Sequence, residues 1–293
     1  MMPGVTERPS LAQLIAGATR VLAEAGVPSP QADARAWAAH ALGLERLPPL
    51  LSPEVDRAAM AAFAEGVERR RRREPLQHIV GSTGFRHLTL AVEPGVFVPR
   101  PETEVVAQVA IDEAAALHRR GTAAVVVDLC CGAGGIAISV ATEVPGSLVT
   151  AVDLSPAAVA LTRRNARAHG VGALRLEQGD VREPGLLDDL TGAVDVVVSN
   201  PPYIPPDAVP VDPEVRDHDP DLALYGGGAD GLDVPRAVTA LAGRLLRPGG
   251  LFVMEHAEVQ AAAVREMATD AGFTDVRTID DLTGRPRAVV ARR

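Results

Sequence analysis

The chain has 293 residues, 47% hydrophobic and 23% charged, with a net charge of −9. That length supports a sizeable core in one or two domains, and no apolar run approaches the roughly 18 residues of a membrane span. The acidic balance argues against stable nucleic-acid binding, and all 29 basic residues are arginines, which excludes Schiff-base chemistry, a lysine general base and a P-loop lysine.

The two cysteines, Cys130 and Cys131, are adjacent, which suits neither a disulfide framework nor a familiar zinc site. The opening "MMPGVTERPS" has no basic stretch followed by an apolar one, so no signal peptide is expected. The expected compartment is a reducing cytoplasm. Charge is uneven along the chain: residues 1–75 carry 10 basic and 9 acidic groups, the remainder 19 and 29.

Leu11, Leu14, Ile15, Ala18, Val21 and Leu22 repeat at helical spacing, and Gly26 and Pro28 end the pattern. Residues 30–43 and 53–73 repeat that texture on either side of "ERLPPLLSP". A helical-bundle domain over 1–74, assigned to substrate recognition, follows. The five arginines at 69–73 read first as a solvated face at a helix C-terminus and second as a docking patch for an acidic surface or RNA. Between 75 and 101 Gly and Pro punctuate short alternating stretches such as "LTLAV", which predicts a linker of one or two β-hairpins.

From 121 the pattern alternates. Strands are expected at 123–129, 147–154, 173–180, 193–200, 251–257, 273–279 and 287–293, and helices at 134–144, 155–170, 232–247 and 258–271. Ser155 is placed to cap its helix and Pro156 to open it. Alternation of this kind predicts an α/β domain over 102–293, with a mostly parallel, Rossmann-like sheet.

"VVVDLCCGAGGIA" sets Gly132, Gly134 and Gly135 between the first of these strands and its helix. Glycines there let backbone approach a ligand, and the helix start offers free N–H groups. Asp153, at the tip of the next strand, is placed to accept from ribose hydroxyls. The glycine spacing alone leaves dinucleotides and S-adenosylmethionine both open. Asp128 opening the turn resembles the D-x-x-x-G-x-G signature of class I methyltransferases, where the acid orients the methionine end of the cofactor. Asp180 closes the following strand, where that superfamily often contacts adenine.

The fourth strand ends on "SNPPY". A motif of this kind at a strand end resembles that of methyltransferases acting on amide or exocyclic amino nitrogens, and the chemistry explains the residue types. An amide nitrogen has a delocalised lone pair and is a poor nucleophile, so it needs two acceptors to hold its N–H groups while the nitrogen faces a methyl. Asn200 supplies a side-chain oxygen and Pro201 a carbonyl. Pro201 and Pro202 fix the backbone that aims them. Tyr203 is placed to pack over the planar group. Catalysis of this kind is positioning and electrostatics, with no metal required.

"EPLQHIVGSTGF", "VFVPRPETE", the glycine loop, "NPPYIP" and "EVRDHDPDLALYGGGADGLD" together resemble the HemK/PrmC family, protein-(glutamine-N5) methyltransferases acting on peptide chain release factors, over nearly the whole length. The resemblance implies S-adenosyl-L-methionine as methyl donor, S-adenosyl-L-homocysteine as product, and the glutamine of a Gly-Gly-Gln loop of class I release factors as substrate. It implies cofactor contacts at Asp128, Cys130, Cys131, Gly132, Ala133, Gly134, Asp153, Leu154, Asp180, Val181 and Asn200. It implies that Phe97 and Arg100 line the site with Asn200, Pro201, Pro202 and Tyr203, and that the chain works as a monomer. Cys130 departs from the family, which carries Gly there. A side chain at that place crowds the methionine moiety if φ is positive. The cysteine pair reads as small hydrophobes in preference to a redox pair.

Three other readings were weighed. A DNA or RNA adenine-N6 methyltransferase shares the motif's logic but needs a basic groove, and the catalytic half is acidic. A non-catalytic binding protein and a relative acting on another protein or a metabolite complete the set. Asp217, His218, Asp219 and Asp221 fit no familiar metal spacing and read as a loop over the active site, and "YGGGADG" reads as a mobile turn beside it.

Overall fold

Ser10 opens the first helix, α1 (Leu11–Glu24). Its hydroxyl accepts from the Gln13 N–H, and the Gln13 side chain accepts from the Ser10 N–H. This computed structural model describes residues 9–48 and 55–293. Most of the opening decapeptide and of the "ERLPPLLSP" break therefore lies outside the described residues. Three further helices follow: α2 (Pro30–Ala41), α3 (Arg57–Arg71, capped by Asp56) and the short α4 (Leu76–Val80). They bury Leu11, Leu22, Trp37, Phe63 and Ile79 in a small core. Trp37 donates its indole N–H to the Phe63 carbonyl at 2.9 Å. Gly66 allows this packing, since a Cβ there would stand 2.0 Å from the indole ring.

This helical unit comprises the described residues up to Gly81 together with 212–218, which contain a later helix; the remainder, 82–211 and 219–293, forms the second unit. The arginine run is absorbed inside the helical unit. Arg69 pairs with Glu74, Arg71 and Arg72 with Glu68, Arg70 with Asp33 and Glu214, and Arg73 with Glu214. Arg70 is 7% exposed and Arg73 is half-buried, whereas Arg69, Arg71 and Arg72 keep 41–72% of their side chains exposed, so part of the run is buried in ion pairs and the rest is a solvated face paired with neighbouring acids.

The second unit begins with one hairpin, β1 (Ser82–Phe85) and β2 (Leu88–Ala91), followed by a turn-rich stretch and then α5 (Thr103–Arg119). α5 was not anticipated, although Val106, Ala110, Ile111, Ala114 and Leu117 lie at helical spacing and are all buried. The α/β alternation then runs β3 (Val125–Leu129), α6 (Gly135–Glu143), β4 (Leu148–Asp153), α7 (Pro156–Ala168), β5 (Arg175–Gln178) and β6 (Val194–Ser199). It continues through the short α8 (Pro213–His218, in the helical unit) and α9 (Asp221–Leu224). The chain ends with α10 (Asp233–Leu245), β7 (Leu246–Glu255), α11 (Ala261–Asp270), β8 (Thr274–Asp280) and β9 (Pro286–Arg292).

β3 to β9 form one sheet in the order β5-β4-β3-β6-β7-β9-β8, parallel except for β9. Both faces are covered, which is why β3 and β6 read as near-continuous apolar runs. Val126, Val196 and Val198 face the layer built on α5 and α6, and Val127, Leu129 and Val197 face the layer that includes Leu241 and Val264. The strand order reverses between β3 and β6. Ligands in such sheets bind outside the carboxyl ends of the strands at that point. Among the described residues no helix is long and apolar enough to cross a membrane.

Candidate active site

β3 brings Asp128 to the reversal point. It is fully buried on the α6 side, and its Oδ2 accepts from the Ala137 N–H at 3.0 Å. Its Oδ1 has no partner among the described residues, and burial pushes the carboxyl up to about 8. A buried carboxyl with one free oxygen beneath a glycine turn suits a donor or cationic group on a ligand.

The turn above it is bent by three left-handed residues, Cys130 (φ 62°), Gly132 (φ 57°) and Gly134 (φ 87°). Cys130 therefore meets the condition that made it a concern, at a backbone cost of about 1–2 kcal/mol for a non-glycine residue. Its side chain packs against the apolar layer containing Leu129 and Val197. Burial, reinforced by Asp153 and Asp128, raises both thiols far above the ordinary range. Cys131 is buried and Cys130 half-buried, and both pack against apolar layers, as small hydrophobes do. Above Gly132 an added Cβ would meet nothing within 4 Å, whereas at Gly134 it would stand 2.7 Å from Thr162. The backbone is open toward the sheet edge at the first glycine and packed onto α7 at the second.

α7 holds this turn by contacts that sequence reasoning missed. Thr162 donates to the Gly132 carbonyl at 2.8 Å. Buried Asn165 donates to the Ala133 carbonyl at 2.9 Å and to the Ala91 carbonyl at 3.1 Å, and accepts from the Ala91 N–H at 2.9 Å. One amide thus ties the hairpin to the glycine turn. Asn165→Ala leaves these three backbone groups without it and should destabilise the protein by about 1–3 kcal/mol. Thermal unfolding checks this; an unchanged Tm would contradict it.

At the tip of β4, Asp153 accepts from the Gly132 N–H and the Ser155 N–H, each at 2.8 Å. Each oxygen keeps a second lone pair, and burial raises the carboxyl above its usual range. Leu154 follows with 38% exposure, an apolar face at the same edge. Asp180 lies after β5, but its carboxylate is turned to Arg182, which lowers its pKa, while Val181 leans on the core layer beside Leu129.

β6 delivers the polar motif. Ser199 donates to the Leu129 carbonyl at 2.7 Å, so Asn200 and Cys130 leave the sheet side by side. Asn200 donates through Nδ2 to Thr103 Oγ1 at 3.2 Å. Among the described residues nothing donates to Asn200 Oδ1 or to the Pro201 carbonyl. Tyr203 donates its hydroxyl to Glu255 at 3.2 Å, and its carbonyl accepts from Gln260 at 2.8 Å.

The glycine-rich segment after α9 is fixed to this motif. Gly226 donates to the Ile204 carbonyl at 3.0 Å, and a Cβ on Gly231 would stand 2.4 Å from the Tyr203 carbonyl. The expected mobile turn is thus a close-packed backbone support. Arg100 lies 5.0 Å over the Phe97 ring and pairs with Asp219 at 2.5 Å. Asp217 pairs with Arg216, so two of the acids weighed as a metal cluster have arginine partners.

A seven-stranded sheet in this order, with a glycine turn over a buried acid at the reversal point, is the architecture of class I methyltransferases, and the fold places the chain in that class. Residues 13–81 match the PrmC N-terminal domain and residues 88–211 the methyltransferase small domain. A "Release factor glutamine methyltransferase" of Mycolicibacterium smegmatis is 49% identical over 280 residues, 95% of this chain and 96% of that protein. One of the same description from Streptomyces coelicolor is 48% identical over 281 residues, with the same two coverages. A "4-amino-L-phenylalanine/4-methylamino-L-phenylalanine methyltransferase" of Streptomyces pristinaespiralis is 44% identical over 259 residues, 87% of this chain and 86% of that protein. The chain belongs to the release factor glutamine methyltransferase family.

Proposed function

We propose that the chain transfers a methyl group from S-adenosyl-L-methionine to the side-chain amide nitrogen of the glutamine in the Gly-Gly-Gln loop of class I peptide chain release factors. The observation that carries this is the pair of unclaimed acceptors, Asn200 Oδ1 and the Pro201 carbonyl, at the reversal point beside the glycine turn. Two acceptors match the two N–H groups of a primary amide. They turn the nitrogen's π face toward the donor and withdraw charge from the N–H bonds as the new bond forms. The sulfonium supplies an activated methyl and a neutral thioether leaving group. With the donor bound, the methyl would pass from sulfur, which keeps the C–S electron pair, to the nitrogen, and the nitrogen would lose one proton to solvent.

Asp153 takes the ribose hydroxyls through its free lone pairs, and Leu154 and Val181 flank the adenine. Asp128 Oδ1 receives the methionine end, where a cationic group favours the ionised carboxyl that burial opposes. Phe97, Arg100 and Tyr203 line the substrate side. The helical domain recognises the release factor. The chain acts in the cytoplasm as a monomer; that it makes no stable nucleic-acid complex is supported by its net charge of −9.

The Streptomyces pristinaespiralis relative supports a second reading, methylation of an aryl amine, since such a nitrogen also presents two N–H groups. Labelled S-adenosylmethionine offered with an unmethylated release factor and 4-amino-L-phenylalanine together separates the two. Label on the release factor supports the proposal; label on the amino acid alone overturns it.

A further inference from the structure

Glu255 ends β7 inside the apolar run "LFVMEHA", and it is 1% exposed. A carboxyl at that depth needs partners. Thr103, the first residue of α5, donates its hydroxyl to Glu255 Oε2 at 2.7 Å, and Tyr203 donates to Oε1 at 3.2 Å. Arg287 on β9 stands 4.0 Å away and is itself paired with Asp281 at 3.1 Å. Glu102, beside Thr103, adds a like charge. Three separate stretches of chain therefore converge on one carboxyl.

The direction of these bonds matters more than their number. A carboxylate only accepts, so it takes the one proton that the Thr103 hydroxyl has to give. Thr103 then has only lone pairs for Asn200. The Asn200 amide must turn its NH2 inward, and its oxygen is left facing outward. With the opposite polarity Asn200 would present NH2 to a substrate N–H, and the clamp would repel what it should hold.

We infer that Glu255 is a positioning residue that, through Thr103, sets which end of the Asn200 amide faces the substrate, while fixing the Tyr203 hydroxyl with its second oxygen. Neither Glu255 nor Thr103 touches the substrate in this arrangement. The inference rests on the methyl-transfer reading for its effect on turnover, but the amide orientation can be read without any substrate. Burial raises Glu255 to about 7, against the Thr103 and Arg287 interactions that lower it. The oriented state is the ionised one, so kcat should rise with pH through that value.

Three variants test this. Glu255→Gln keeps the shape but accepts at one end only, so one of its two hydroxyl partners must reverse. Thr103→Val keeps the shape and removes the relay. Thr103→Ser keeps the hydroxyl. At saturating methyl donor and release factor, Thr103→Val should lower kcat by about 100-fold, the scale of a small misplacement at a reacting centre, and Glu255→Gln by less, since its one accepting oxygen can stay on Thr103 while Tyr203 reverses. Donor Kd should hold, and Glu255→Gln should lose the rise of kcat with pH. Thr103→Ser should retain turnover. The double variant Glu255→Gln/Thr103→Val should be little worse than Thr103→Val alone, since the relay from Glu255 to Asn200 runs through Thr103.

The Asn200 side-chain amide resonances in nitrogen-15 spectra of the free protein give the second readout. They should move in Thr103→Val and stay in Thr103→Ser. Full turnover in Thr103→Val, additive losses in the double variant, or unmoved resonances would overturn the inference. If Glu255→Gln does not fold, the Thr103 pair still decides. A wild-type protein that methylates no release factor would sink the glutamine reading, with the resonances still testing the orientation.

Discussion

Replacing Asn200 by Ala should abolish most turnover while leaving cofactor affinity close to that of the unaltered protein. In the proposed clamp the side chain is one of two acceptors for the reacting amide, and its only bond among the described residues is to Thr103 at 3.2 Å. Removing it leaves the Pro201 carbonyl to hold one N–H alone, so the nitrogen swings away from the line of attack. Loss of one preorganised hydrogen-bonding group at a reacting centre costs about 10²–10³ in kcat. The strand beneath is unaffected, because Ser199 still bonds to Leu129 and the β3–β6 register is built from Val126 to Leu129. Single-turnover kinetics with donor already bound, alongside calorimetric titration of the donor, separates the two effects. A large loss of donor affinity with normal chemistry would place Asn200 in the cofactor site and outside the clamp.

Asp153→Ala should act at the β4 tip and weaken donor binding by about 1–3 kcal/mol, roughly 5-fold to 150-fold in Kd. Two losses combine. In the proposed arrangement the ribose loses its acceptor, and the Gly132 and Ser155 N–H groups lose the carboxylate that holds them at 2.8 Å. The turn that bends through Gly132 then has less to fix its left-handed backbone. At saturating donor kcat should recover most of its value, because the amide clamp sits on β6 and is tied to α5 and β7, not to β4. Asp153→Asn keeps one acceptor and should fall between. Calorimetry decides: an unchanged Kd in Asp153→Ala would show that the ribose lies elsewhere.

What the sequence made legible was local. The strand of "VDVVVSNPPY" and its polar end could be read because a doubly buried strand is apolar throughout and the motif interrupts it abruptly. Asp128, Asp153 and Asn200 fell on one edge because parallel strands joined by helices all point the same way. The supports were hidden because they depend on tertiary placement. Thr103 lies 97 residues before Asn200, and Asn165 lies 74 residues after the Ala91 it holds. Nothing in their neighbourhoods marks them. Glu255 did leave a signal, an acid within "LFVMEHA", and a charged residue inside a buried run asks for a partner. α5 was also within reach, its apolar spacing masked by the Pro-rich "VPRPE" before it.

The arginine run shows the reverse case. As composition it suggested an exposed basic face. Folding spends it on Glu68, Glu74, Asp33 and Glu214, the last contributed by the 212–218 stretch that joins the helical unit. Adjacent like charges say little about docking until the acids that meet them are placed.

The most direct measurement is tandem mass spectrometry of an unmethylated release factor after incubation with the protein and S-adenosylmethionine. One added methyl on the side-chain nitrogen of the Gly-Gly-Gln glutamine, absent with Asn200→Ala, is the expected result. A methyl placed on any other residue, or none on a release factor that a known family member does methylate, would contradict the proposed function.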